Sequence, residues 1–251
     1  MSAAAGGLNG ASAGAGRSCT EPKSAPLAVV FLDGDYDDPE YSRGWAEAAD
    51  MVVAADGGAR FLLEQGIRPD VVVGDFDSLP SADVKRLNAA GVELVRHPVR
   101  KDRTDGEMAA DEALRRGAGE LVLAGALGAL DHTLGHLAIL RRLAARGVAA
   151  RLAAPRLTVR VIGAPHEARL DAPAGTRVSI VPLQGDALVS LEGFDYPLKC
   201  GVLPRDACLG LGNAVVAAAR ILVHKGVVAV LVEDGDEAFG GVCREARVAA
   251  P

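Results

Sequence analysis

The sequence predicts an α/β + β protein: an N-terminal open, mostly parallel α/β/α sheet domain followed by a small C-terminal antiparallel β-sandwich. Three observations predict it. Through the first half, runs of β-branched residues alternate with segments of helical spacing, the pattern of strands joined by crossover helices. Near Pro155 the texture changes to short runs, several of them alternating, separated by Gly, Pro and Asp. The chain has 251 residues, of which 49% are hydrophobic and 4% aromatic, so Ala and Val must build a layered core. The expected division is a disordered Ala/Gly/Ser-rich tail at 1–25, the α/β domain at 26–155 and the sandwich at 156–251.

Residues 26–32 read as a first buried strand with Asp33-Gly34-Asp35 at its tip. A short helix at 42–49 carries Trp45, the only tryptophan. The strand 51–55 is stopped by Asp56-Gly57-Gly58, and a helix at 59–65 follows with Gly66 as its C′ residue. Val71-Val72-Val73 is the end of a strand covered on both faces, broken by Gly74. Ser81 is expected to cap a helix through Leu87, with Gly91 closing it, before a strand at 92–96. A polar loop, 97–105, opens a helix at 106–116. Residues 121–124 form a strand, 125–130 a glycine-bearing tip, and 131–145 a helix with His132 and His136 on one face. In the second half, strands are expected at 157–162, 167–170, 177–181, 187–191, 214–217 and 227–233.

Composition narrows the function. A net charge of −6 without any Lys/Arg run argues against nucleic acid or an anionic membrane as partner. The four cysteines make no Cys-x-x-Cys and read as reduced thiols of a cytoplasmic protein. The N-terminal stretch lacks the basic and apolar regions of a secretion signal, and no apolar run has the length of a membrane span.

What remains is a set of carboxylates at strand tips. Asp75 and Asp77 flank Phe76, and in an extended tip residues two apart point the same way. Like charges held so close call for a cation between them or a proton on one, and oxygen ligands favour Mg²⁺ with its phosphates. Asp56, Asp102, Asp105 and Asp131 occupy further tips that a parallel sheet would gather at its carboxyl end. Arg100, Lys101 and Arg103 offer cations to phosphate oxygens, and Thr104 precedes a helix whose first amides suit an anion. Together these describe phosphoryl-type transfer, without the P-loop or the dinucleotide fingerprint.

Ala55-Asp56-Gly57-Gly58-Ala59, Pro69-Asp70, Gly74-Asp75-Phe76-Asp77-Ser78, Lys101-Asp102-Arg103-Thr104-Asp105 and Asp131-His132-Thr133-Leu134 resemble, in order and interval, the thiamine pyrophosphokinase family. Residues 178–183, 193–198 and Gly212-Asn213 are similar to its second domain. The resemblance implies a homodimer with active sites between subunits, transferring a pyrophosphoryl group from ATP to the hydroxyl of thiamine with Mg²⁺. It implies that Asp75, Asp77 and Asp105 hold the metal, and that Asp77, Asp105 and Asp131 serve catalysis. Asp56, Gly57, Lys101 and Thr104 would meet the ATP phosphates, and Asn213 the thiamine. The sequence departs from the family pattern at Ala129, where an arginine is usual, at His136, where asparagine is usual, and at Gly212 and Ala214 around Asn213. Arg100 and Arg103 are the candidates to stand in for the missing cation. Another alcohol acceptor, such as a pterin, and a catalytically silent nucleotide-binding homologue are the alternative readings.

Overall fold

The computed structural model describes residues 25–99 and 102–233. Its first half is a parallel sheet of β1 (Leu27–Phe31), β2 (Met51–Ala55), β3 (Val71–Gly74), β4 (Glu93–Arg96), β5 (Glu120–Ala124) and β6 (Ala149–Ala154), ordered β6-β5-β1-β2-β3-β4. Alternate residues of each strand serve opposite cores, as the pleat requires. Val29, Phe31, Val52 and Val72 pack under α1 (Pro39–Ala48), α2 (Gly58–Glu64) and α3 (Ser81–Ala89). Val30, Val53, Val71 and Leu121 pack under α4 (Asp105–Arg115) and α5 (Leu130–Ala145) on the other face. Burying each such side chain contributes about 1.5–3 kcal/mol, which is why runs such as Val71-Val72-Val73 need cover on both sides. From β1 the chain adds strands on one side, then returns through β5 on the other. The switch point therefore falls between β1 and β5, where crevices open in such sheets.

The antiparallel half comprises β7 (Leu157–Gly163), β8 (His166–Leu170), β9 (Arg177–Pro182), β10 (Ala187–Phe194), β11 (Leu198–Leu203), β12 (Asn213–Lys225) and β13 (Val227–Glu233). Ile180, Val228 and Val230 face Leu170, Val189, Leu191 and Ile221 across one apolar core, so two layers are packed face to face. β12 pairs with β8 and β10 in one layer and with β9 in the other. The result is a large mixed sheet with helices on its parallel half, as the predicted fold class requires in outline.

The structure corrects the expectation at several elements. β6 and β11 were not expected at all, and β12 is far longer than 214–217. Ser81 is the first helical residue rather than the cap, because Pro80 occupies that position and no side chain caps α3. β6 pairs in parallel with β5 and antiparallel with β7, so the sheet continues through the turn at Pro155 and Arg156.

Candidate active site at the carboxyl ends of the strands

The tips of β2 and β3 bring three carboxylates together. Asp56, Asp75 and Asp77 each offer an oxygen, and these oxygens lie within 4.8 Å of one another. The backbone reason differs from the extended tip expected for Asp75 and Asp77. Phe76 has φ +65°, so the chain turns there, and Asp75 Oδ1 accepts from the Asp77 amide at 3.1 Å. Asp56 also has a left-handed φ of +41°. Non-glycine residues in that region carry about 1–2 kcal/mol of strain. Two of them in adjacent tips mark a place where the fold holds groups against local preference. Arg96 steadies the turn by donating to the Asp75 carbonyl at 2.8 Å and lying over the Phe76 ring at 4.6 Å. Arg60 donates to the Ser78 carbonyl at 2.9 Å. Neither arginine was singled out from the sequence, since a helix or strand arginine carries no motif.

Gly74 explains the close approach. A Cβ there would stand 2.9 Å from Asp56 Cβ and 3.2 Å from an Asp105 carboxylate oxygen. Asp105 therefore crowds the same spot, at the start of α4. Gly57 has a similar reason: a Cβ would fall 2.2 Å from the Asp33 carboxyl carbon. Thr104 caps α4 by accepting from the Glu107 amide at 3.2 Å.

The electrostatics follow from the crowding. Burial raises the Asp56 pKa above its ordinary value, and the Asp105 and Asp75 carboxylates push it the same way against bonds from Ser78. Asp56 Oδ1 is buried and has no hydrogen-bond partner among the described residues. An orphaned carboxylate oxygen facing two more carboxylates is a donor set suited to a hard divalent cation, and Mg²⁺ fits it.

Asp56, Ser78, Thr104, Asp105 and Asp131 border one cavity of 1390 Å³ that runs from the switch point along α5. Asp131 lies in the first turn of α5, exposed, its Oδ1 accepting from the His132 amide at 2.9 Å. It shares the cavity with Asp56 and Asp105 without joining the group formed by Asp56, Asp75 and Asp77. Asn213 is outside this cavity: its side chain accepts from the Tyr196 amide at 3.0 Å and donates to the Tyr196 carbonyl at 2.9 Å. Arg103 does not replace the missing arginine, because it pairs with Asp111 and, at 3.1 Å, with Glu107 on α4. Arg100 and Lys101 lie outside the described residues. Asp33, Gly34 and the 125–129 loop also border the cavity, so the β1 tip belongs to the site although the sequence offered only a turn there.

The fold and these carboxylates define a class: an α/β protein with a carboxylate cluster at its strand tips that could hold a divalent cation. Comparison with known proteins narrows it. Residues 43–152 match the family model for the thiamin pyrophosphokinase catalytic domain. The chain is 27% identical over 176 residues to the thiamine pyrophosphokinase of Bacillus subtilis, covering 69% of this chain and 82% of that protein. A crystal structure of thiamin pyrophosphokinase from Geobacillus thermodenitrificans superposes with a TM-score of 0.70 at 26% identity, covering 87% of this chain and 100% of that one. The Candida albicans thiamin pyrophosphokinase shares the fold with a TM-score of 0.71 at 13% identity, covering 83% of this chain and 89% of that one. The resemblance to the thiamine pyrophosphokinase family read from the sequence is thus shown by domain, sequence and structure.

Proposed function

We propose that the protein is a thiamine pyrophosphokinase, transferring a pyrophosphoryl group from ATP to the hydroxyl of thiamine to give thiamine diphosphate and AMP. The observation that carries this reading is the carboxylate group of Asp56, Asp75 and Asp77, with its orphaned buried oxygen, standing where the family motifs fall. Mg²⁺, when bound, would neutralise phosphate charge and orient the nucleotide. Asp75, Asp77 and Asp105 would hold it, with Asp56 as a further ligand. Thr104 and the first amides of α4, with Gly57 and Lys101, would receive phosphate oxygens. Asp77, Asp105 and Asp131 would serve the transfer itself, Asp131 from the acceptor end of the cavity.

In this reading, residues 26–155 handle metal and nucleotide, and 156–251 contribute the acceptor surface. The protein works as a cytoplasmic homodimer. Exposed apolar side chains support a subunit contact on the antiparallel half: Tyr196 is 71% exposed, Leu209 63% and Leu211 53%. Asn213, outside its own chain's cavity, would serve thiamine across that contact. No described helix is long and apolar enough to cross a membrane.

The departures at Ala129, His136, Gly212 and Ala214 favour, as a second reading, another alcohol such as a pterin. A silent homologue is disfavoured by the retained cluster of costly like charges. Incubation with MgATP and thiamine, followed by chromatography, should yield AMP and thiamine diphosphate together. AMP only with a different alcohol would select the second reading, and no turnover with any alcohol would overturn both.

A further inference from the structure

His136, which shares one face of α5 with His132, has a ring that lines the cavity, and both of its nitrogens have legible roles. Nδ1 lies 2.7 Å from the Ala126 carbonyl oxygen. A carbonyl only accepts, so Nδ1 carries the proton and the neutral ring leaves Nε2 with a lone pair. Nε2 has no hydrogen-bond partner among the described residues. It faces the start of α4, 3.9 Å from where a Cβ on Gly106 would stand. The preceding residue, Asp105, crowds Gly74 beside Asp56, so Nε2 stands near the start of α4 in the wall of the cavity that Asp56 and Asp105 also line.

We propose that His136 Nε2 accepts the hydroxyl hydrogen of the alcohol acceptor and takes its proton during transfer. The inference rests on the pyrophosphokinase reading. As the O–H bond breaks toward Nε2, the alcohol oxygen forms its bond to the β-phosphorus. The bond from that phosphorus to the oxygen bridging the α-phosphate breaks, and its electron pair leaves with AMP. The imidazolium then returns its proton to solvent. Among the cavity-lining side chains, the carboxylates suit a cation and an imidazole suits a hydroxyl; His132, His136 and His166 all line the cavity, and His136 places its Nε2 at the start of α4, beside Asp105. Burial lowers the His136 pKa, against the bond to Ala126 and together with the neighbouring His132, which keeps the ring neutral and receptive at neutral pH.

The test compares wild type with His136→Ala, both checked for folding by thermal melting. With thiamine and MgATP, kcat should fall about 10²–10⁴-fold, the KM for ATP should hold, and added imidazole should restore part of the rate. A packing role alone would give a loss that imidazole does not rescue, or no loss, and either result overturns the inference while leaving the pyrophosphokinase reading intact. Absence of turnover in wild type with any alcohol overturns that reading and the role of His136 with it. Nitrogen-15 spectra of the resting wild-type protein give an independent readout, with Nδ1 expected to bear the proton. A dominant Nε2–H tautomer would also sink the proposal.

Discussion

Asp77 is the exposed member of the carboxylate group, bonded to Ser78 Oγ at 3.2 Å and otherwise turned toward the place where a cation would sit. Its side chain packs against little, so Asp77→Asn should shift unfolding free energy by no more than about 0.5 kcal/mol. The same change removes a charge from the proposed cation site, and turnover should drop at least about 10²-fold. Circular-dichroism melts beside an AMP-release assay check both halves; near-normal activity would refute the role assigned to Asp77. At this scale the sequence was informative because Asp56 and Asp75 directly follow strands, and a parallel sheet has to collect such tips. What it hid was conformation. Nothing in Asp75-Phe76-Asp77 announces a left-handed phenylalanine, and nothing near His136 announces which carbonyl its ring will meet.

Between elements, β5 and β6 are joined by a buried ion pair: Arg151 donates to Glu120 at 2.8 Å, with both side chains 8% exposed, and lies over Trp45 at 4.9 Å. Removing one partner strands the other charge in the core. Arg151→Met should therefore cost about 3–5 kcal/mol, and the double change with Glu120→Leu should recover most of it. Urea unfolding of wild type and these two variants measures this. The pair also explains why β6 was overlooked. Ala149-Ala150-Arg151-Leu152-Ala153-Ala154 lacks β-branched residues and carries a central arginine, so it reads as surface until its partner is known. β12 was cut short for a related reason, since Arg220 bonds Glu167 and thereby sits comfortably within a strand.

On α4, the bond from Arg115 to Glu112 outweighs the opposing effect of burial and, with Arg116, brings the Glu112 pKa from 4.5 down to about 2. A carboxyl whose folded pKa is depressed contributes stability above its unfolded pKa and loses it as pH falls toward the folded one. The stability difference between wild type and Glu112→Gln should thus be full above pH 4.5 and fade on descent to about 2. A urea midpoint series across that window checks it; a difference that stays constant would show the contact to be idle.

For the whole molecule, Leu211 is 53% exposed, and Tyr196 and Leu209 are more exposed still, an arrangement that a subunit contact would cover. Leu211→Glu should convert a dimer to monomers in sedimentation experiments and, if the site spans subunits, lower turnover about tenfold or more. A wild-type protein that sediments as a monomer would remove the basis for this expectation. The change of texture read near Pro155 falls at the turn between β6 and β7. The union of the parallel and antiparallel strands in one sheet was not legible, because the strand that joins them is the alanine-rich β6.

That joining strand has a mechanical consequence. β6 is hydrogen-bonded along both edges, to β5 on one side and β7 on the other. Swinging the antiparallel half away from the parallel half would tear one of these edges, so a clamshell opening is barred. Substrates must pass in and out over the loop tips, past a rigid spine whose amides should be among the slowest in the protein to exchange with deuterium.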